Sequence, residues 1–583
     1  MDAGRLAHIP GPRLAAWSNL WLVRAIWKQQ SHLDVYEVSK KYGPLARIGP
    51  NDIITTDINL IHRIQAARSP YGRSNWYRGF RLAPRIDNVL SQTDDKLHTK
   101  RRAQLSPGFS LKNQEAIIDS HVTKLISLIK NKYLSNEKES KVVDLAQKLQ
   151  FFALDVVMDI ATGSPFEDLI HDEDRYEYLK STADSLPTIA MVSSVPWAGK
   201  LLQSKYIAPL IAPSASEYGI GKIVDIATKM VNARIADETK FSAEDMLTTF
   251  LSAGITHTEC ISESIITILG GSDTMSIALR SCLLFIITNP RIYNKLVSEI
   301  LYFSSFNFLS LNENPSSSQL QRIEYLQATI KESLRIFPPG TGQMPKVVPP
   351  SGETVNGIFI PGGTNIGTNP WFIMRDPANF GPDAGVFRPE RWMEGNEERK
   401  ELDYVCELVW GYGKYKCLGQ GIAVMELGKV IFELLRHFEW EIVDPTKPWE
   451  CRNVGIWIQK DLNNAPLCLV SAPCAQGADA KGLKTFAIAL EPGVSGEQDG
   501  GAKTPGQTVA PVSVGSGSVT SVAAGATTSG ASKASGTGTA GSSASGTGSA
   551  AAASSSNAAG ANNAPYIVSA GGLAGLFLAF FAL

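Results

Sequence analysis

Trp410-Gly-Tyr-Gly413-Lys-Tyr415-Lys-Cys417-Leu-Gly419 sets one cysteine between glycines directly ahead of an apolar stripe at Ile422, Ala423, Val424, Leu427, Val430, Ile431, Leu434 and Leu435. Apolar residues at that spacing predict a helix. A thiol in the bend before a helix lies beside free backbone N–H groups and the positive end of the dipole, and both favour thiolate over thiol. A thiolate held open is a ligand or a nucleophile. The glycines permit a sharp bend and a close pass along a flat group, and Trp410 can pack on that group's face.

An arbitrary cysteine near a glycine-rich turn is usually one more buried residue; here the surroundings reverse that reading. The stretch resembles the cytochrome P-450 signature: aromatic, two residues, Gly, one residue, Arg or His, one residue, Cys, one residue, Gly. Trp410, Gly413, Cys417 and Gly419 match it. Tyr415 departs, since the family usually places there a cation that pairs with a heme propionate; Tyr415 can still donate a hydrogen bond, and Lys414 and Lys416 flank it. The resemblance implies a mainly α heme-thiolate fold with a small β region. It also implies heme b (iron protoporphyrin IX) ligated by Cys417, with Trp410, Gly413, Tyr415 and Gly419 around it.

Four further motifs stand in the family's order. His98 and Arg102, four apart on a helical stretch, match residues that contact the heme propionates, which need a cation in a partly buried site. Gly270-Gly271-Ser272-Asp273-Thr274 lies inside a long helical pattern from Ser242 to Ile287. Two glycines in a helix cost about 1 kcal/mol each relative to Ala, so a packing or functional reason is expected. Thr274 can bond back to a carbonyl one turn earlier and loosen the helix. By resemblance this is the oxygen-activating groove, with Gly270 and Gly271 beside the cofactor and the acid-alcohol pair Asp273 and Thr274 supplying protons. Glu332 and Arg335 with Arg391 match a buried structural triad that holds the cysteine loop. Lys346 stands where another propionate-binding cation is common. Trp76, Tyr77, Phe80 and Ile86, residues Thr341 to Met344, and Ile456 with Trp457 are candidate substrate contacts.

With 55 basic and 56 acidic residues among 583, nothing in the charge balance points to nucleic acid. The seven cysteines have no paired spacing, so no disulfide framework is expected. Residues 45 to 60 read as a hairpin turning at Gly49 to Asp52, and residues 141 to 170 and 217 to 240 as helices. Ile9-Pro-Gly-Pro12 resembles the hinge that follows a spanning helix in membrane-bound members, and no such helix precedes it here. Ala15 to Trp27 read instead as an amphipathic helix that either lies on a membrane or packs on the core.

The heme-thiolate domain is expected over residues 1 to 474. Residues 475 to 565 form a linker; from Thr504 it is Ser, Gly, Ala and Thr with a single charge, Lys533, and cannot bury a core. Residues 566 to 583 are apolar and uncharged. This C-terminus resembles a GPI signal or a tail anchor; a tail anchor, or unrelated sequence joined to the enzyme, is preferred because a cytosolic reductase must reach the heme domain.

Details such as SNWYRGFRL resemble fungal members akin to pisatin demethylase. The implied activity is monooxygenation of a small apolar substrate with O2, in fungal secondary metabolism or detoxification. The implied partner is an NADPH-dependent flavoprotein reductase, docking on a face that Lys414, Lys416 and Lys429 would present, and the implied site is the cytosolic face of the endoplasmic reticulum membrane. The alternatives are an electron-independent heme-thiolate isomerase or dehydratase, or an inactive surface-anchored relative.

Overall fold

The computed structural model describes residues 4–466 apart from 84–85, 137, 203, 205, 207–218, 237–243 and 394. The linker and the apolar C-terminus, with Cys468 and Cys474, lie outside the described residues. Helices dominate. Those that position the site are α1 (Asp95–Leu105), α2 (Leu145–Thr162), α3 (Tyr178–Ser194), α4 (His257–Ile287), α5 (Glu324–Ile336) and α6 (Gln420–His437).

Each helix begins or ends where its local chemistry dictates. The Asp94 carboxylate accepts from the N–H groups of Lys96 and Leu97 and starts α1. Asp144 caps α2, which stops at Gly163 in the left-handed region, where φ is +67°. The pattern from Ser242 to Ile287 reads as one helix but forms two, Met246–Ser252 and α4. Gly254 at φ +78° turns the chain, and a capping box between Thr256 and Glu259 starts α4 afresh. The expected N-terminal helix is likewise broken, into a 3₁₀ turn at Leu14–Ala16 and a helix at Leu20–Trp27.

The core follows from helices α2, α4, α5 and α6 packing on one another. All but two residues of α2 are buried, and the C-terminal half of α4, from Met275 to Ile286, is wholly buried and, Arg280 apart, apolar or small. Phe151, Phe152, Leu283, Leu284, Tyr325, Leu326, Val430 and Leu434 belong to this one cluster. Among the described residues α4 is the one helix long and apolar enough to cross a membrane, and 78% of its most apolar window is inside the fold.

A second, smaller core lies under a five-stranded sheet of β1 (Leu45–Gly49), β2 (Asp52–Thr55), β3 (Gly72–Arg73), β4 (Lys346–Val347) and β5 (Asn365–Thr368), in the order β1-β2-β5-β4-β3. The β1–β2 hairpin pairs Leu45 with Thr55, and β2 runs parallel to β5. In this order β3 and β4 lie side by side, with Arg73 opposite Lys346. A separate hairpin, β6 (Glu450–Asn453) and β7 (Trp457–Lys460), closes another side of the helical core.

Candidate active site

The loop before α6 is shaped by its glycines. Gly411 and Gly413 both have positive φ, +74° and +62°, and a Cβ on Gly413 would collide with the Gln65 carbonyl. The Tyr412 N–H donates to Gln65 Oε1 at 3.1 Å, and the Cys417 N–H donates to the Trp410 carbonyl at 2.8 Å. Those bonds curl the loop so that the thiol stands open. Cys417 is exposed, yet burial pushes its thiol up, the combination expected at the floor of a recess. The N–H groups of Gly419 and Gln420 and the Arg102 charge pull the other way. The N–H groups at the helix terminus thus act in the expected direction, and desolvation opposes them.

Positive charge gathers beside this loop from three elements. Arg73 on β3, His98 and Arg102 on α1, and Lys346 on β4 act on one another electrostatically around the Tyr415 ring. The Lys346 ammonium lies 3.0 Å from the centre of that ring, the Arg73 guanidinium 4.5 Å and the His98 ring 4.9 Å. The Tyr415 hydroxyl donates to Asp95, which also takes a 2.7 Å bond from Lys414. His98 is held down to about 3, first by burial and then by Arg73, Arg102 and Lys346.

Lys346 Nζ and both ring nitrogens of His98 are buried with no hydrogen-bond partner. A buried polar atom left unpaired costs about 1–3 kcal/mol. An anionic group between these residues would remove that cost, and no carboxylate of the described residues fills the place. The heme expected from the motifs carries two such carboxylates, so the donor set fits it.

The middle of α4 presents two faces. Gly270 is exposed, with nothing within 4 Å of a Cβ placed on it, and Thr274 Oγ1 donates to the Gly270 carbonyl at 2.7 Å. Gly271 has a packing reason instead: a Cβ there would press into Val157 of α2 at 2.5 Å. Asp273 is buried and accepts from Gln150 Nε2 of α2 at 2.7 Å. Burial pushes its carboxyl up to about 7, against Gln150 and Arg280.

Glu332, Arg335 and Arg391 meet in full burial. Arg335 Nε and Nη2 donate to the two Glu332 oxygens at 2.8 Å, and Arg391 Nε donates to Oε1 at 2.9 Å. Trp392 Nε1 and the Arg388 N–H complete the carboxylate's shell, each at 2.9 Å. Arg335 also donates to the carbonyls of Met374, Ala384 and Val386, tying α5 to the segment that leads to the cysteine loop.

Other expectations fall differently. Lys429 is 1% exposed and bonded to Asp119 at 2.7 Å, so it cannot belong to a docking face; its place on α6 turns it inward. Trp457 stacks on Phe337 at 4.1 Å and donates to the Pro338 carbonyl, which makes it a core residue. Tyr77 is buried with its hydroxyl on the Met344 carbonyl. Arg73 and Asp95 were not foreseen, because nothing in their local sequence distinguishes them; only the β3–β4 pairing and the fold of the loop bring them to Tyr415.

A family model described as Cytochrome P450 matches residues 9–463. Among curated proteins, "Cytochrome P450 monooxygenase aba1" of Botryotinia fuckeliana is 36% identical over 470 residues, covering 78% of this chain and 91% of the relative. "Cytochrome P450 monooxygenase ABA1" of Pyricularia oryzae is 36% identical over 475 residues, covering 79% and 92%. "Cytochrome P450 monooxygenase abl1" of Leptosphaeria maculans is 33% identical over 480 residues, covering 80% and 84%.

Proposed function

The chain belongs to the cytochrome P450 family and is a monooxygenase of it; from that premise we propose that Cys417 ligates heme b and that the enzyme inserts one atom of O2 into a small apolar metabolite of fungal secondary metabolism. The observation that carries the cofactor assignment is the exposed Cys417 thiol beside the buried Lys346 ammonium and His98 ring, whose nitrogens have no hydrogen-bond partner. When bound, heme supplies the dioxygen chemistry, with the thiolate pushing electron density toward O–O cleavage. The N–H groups of Gly419 and Gln420 and the Arg102 charge stabilise the Cys417 sulfur as thiolate. Lys346 and Arg102 as cations, and neutral His98 as a hydrogen-bond donor, would hold the cofactor's carboxylates, with Arg73 as a third cation.

Thr274 donates its hydroxyl to the Gly270 carbonyl, which leaves its oxygen as an acceptor on the open face of α4. Asp273, poised near neutrality, exchanges a proton at working pH without a large energetic cost in either direction. The Glu332 triad holds the loop that aims the sulfur. Electrons come from a redox partner, which we take to be an NADPH-dependent flavoprotein reductase. Association with a membrane is supported by the exposed side chains of Leu14, Trp17, Leu20 and Trp27 near the N-terminus, of which Trp17 is 73% exposed.

The test is the carbon monoxide difference spectrum of the reduced full-length protein. A strongly red-shifted Soret band, lost in Cys417→Ser, is expected. An unshifted band would reject the thiolate ligand. Turnover that persists without NADPH would favour an isomerase or dehydratase instead.

A further inference from the structure

Glu263 is fully buried on α4, seven residues ahead of Gly270. Positions seven and eleven apart fall on one face of an α-helix, so Glu263, Gly270 and Thr274 stand in line, with about 10 Å of axis between the first two. Gly270 lies open, whereas Glu263 is enclosed by α1 and by residues 86–92. Arg101 Nη1 of α1 donates to Glu263 Oε1 at 2.6 Å, and the Val89 N–H donates to Oε2 at 3.1 Å. Arg101 is aimed by a second carboxylate, Glu259, which also closes the capping box at the start of α4.

Residues 86–92 form a knot of their own. Asn88 Oδ1 accepts from the N–H groups of Leu90 at 3.0 Å and Ser91 at 2.8 Å, and the Asn88 carbonyl accepts from the Gln92 N–H at 2.9 Å. Arg73 Nη1 of β3 grips the opposite side, donating to the carbonyls of Val89 at 2.6 Å and Leu90 at 2.9 Å. The knot is therefore stiff inside and held at two places, at β3 by Arg73 beside the Tyr415 ring and at α4 by Glu263. Ser262 adds a long 3.4 Å bond to the Ile86 carbonyl. A hydrogen bond to an ionised acceptor is roughly twice as strong as a neutral one, so the bond from Val89 to Glu263 is the main tie to α4.

We propose that Glu263 is a specificity-determining positioning residue: it fixes residues 86–92 against α4 and so sets where Ile86 and Val89 stand beside the face that carries Gly270 and Thr274. Glu263 acts through the Val89 N–H and not by touching substrate. The role in substrate choice rests on the monooxygenase reading of that face; the pinning of residues 86–92 does not. Burial pushes the Glu263 carboxyl up to about 7, against the Val89 N–H and Arg101, with Glu259 adding to the rise. The charged and titratable groups that face it are Arg101 from α1 and Glu259 and Cys260 from α4. Residues 86–92 meet it with a backbone N–H, and their own Asp87 is taken up by Arg81. The ionised form holds Val89 and Arg101, so the tie is strongest above about 7 and weakens as pH falls below it.

Hydrogen exchange and heme spectra of the full-length holoprotein test it. Deuterium uptake by peptides spanning residues 86–92 should quicken by about tenfold in Glu263→Leu, the equivalent of one hydrogen bond to a charged group, while uptake in α2 and α6 stays as it was. Glu263→Gln keeps an acceptor for Val89 without the charge, so it should restore part of the protection and remove its change with pH across neutrality. Imidazole and clotrimazole, a small and a bulky ligand for heme iron, probe the site by their Soret shifts. The ratio of their Kd values should move toward clotrimazole by about tenfold in Glu263→Leu and by less in Glu263→Gln, because released residues make room for bulk. Unchanged uptake in Glu263→Leu overturns the pinning. Should that variant fail to fold, Glu263→Gln decides in its place, and a pH dependence that persists there overturns the pinning. Quickened uptake with an unchanged Kd ratio overturns the role in substrate choice. A missing red-shifted carbon monoxide band would strike the heme-thiolate reading, and the role in substrate choice with it, and leave the uptake measurement to decide the pinning.

Discussion

Replacing Glu332 by Ala removes one carboxylate and strands two guanidiniums. Glu332 is fully buried and accepts five bonds, from Arg335 Nε and Nη2, Arg391 Nε, Trp392 Nε1 and the Arg388 N–H. Arg335 and Arg391 retain backbone carbonyls, and Arg391 keeps a 3.3 Å contact with Asp383, so part of their desolvation remains offset. What is lost is the charge that both share. Breaking a buried pair from one side costs about 3–5 kcal/mol, which at about 1.4 kcal/mol per factor of ten is roughly two to three and a half powers of ten in the folding constant. A whole domain has about 5–15 kcal/mol to lose, so the variant is expected to be marginal and, on the proposal that this site holds the Cys417 loop, to lose heme. Glu332→Gln keeps the volume but not the charge and should fail nearly as badly. Arg291→Ala removes instead a surface partner of Glu390, 66% exposed, and should cost no more than about 1 kcal/mol. Urea midpoints and the carbon monoxide difference spectrum of all three variants decide the matter. Glu332→Ala protein that is soluble, fully heme-loaded and unchanged in midpoint would refute the reasoning.

Thr274→Ala should leave NADPH oxidation running while product per NADPH falls; an unchanged ratio would remove the proton-handling role from that hydroxyl. Lys346→Met should have opposite effects on the two forms: the apoprotein gains up to about 1–3 kcal/mol because a buried unpaired amine is gone, whereas heme retention weakens because a carboxylate loses its cation. Thermal melts of apoprotein and heme transfer to apomyoglobin read the two signs, and a loss of apoprotein stability would count against the assignment. Burial and the neighbouring Asp155 push Asp168 up to about 7 from 3.8. The folded state then holds a proton that the unfolded chain has released, so stability conferred by this site is present below the unfolded value and declines as pH rises toward 7. Asp168→Asn should therefore gain on the parent as pH rises between those limits and level off above; urea midpoints that stay parallel across the range would exclude it.

What was legible in the sequence was local. The Thr274 back-bond and the Glu332–Arg335 pair are each set by residues within about one helical turn of one another, and the Cys417 loop announces itself by a motif of ten residues, although Gln65 also helps to hold it. Arg391 needed the family pattern, because it approaches from a segment 56 residues away, yet its order along the chain was enough. The failures were of two kinds. The break at Gly254 was hidden because apolar periodicity runs through it, and the capping box at Thr256 and Glu259 is the signal that was passed over. The inward turn of Lys429 was hidden because a lysine within an apolar stripe reads as solvated until Asp119 and Glu115 are placed opposite it by another helix.

The departure at Tyr415 shows why a motif can change without its electrostatics being abandoned. A cation at this position would sit in line with the loop; a tyrosine brings an aromatic face instead, and a ring face attracts positive charge. Lys346 and Arg73 lie over that face, and the Tyr415 hydroxyl is occupied by Asp95, which also holds Lys414. Positive charge is thus delivered by β3, β4 and α1, and the loop contributes the surface on which it gathers. Two paired strands of two residues each, β3 and β4, set Arg73 opposite Lys346, so the charge of the pocket depends on a sheet edge that no single stretch of sequence encodes. A cation restored at position 415 would add to three already crowded positive groups. Tyr415→Arg is therefore expected to weaken heme retention in this chain although it completes the family signature, and the same heme-transfer measurement would show a gain if that argument is wrong.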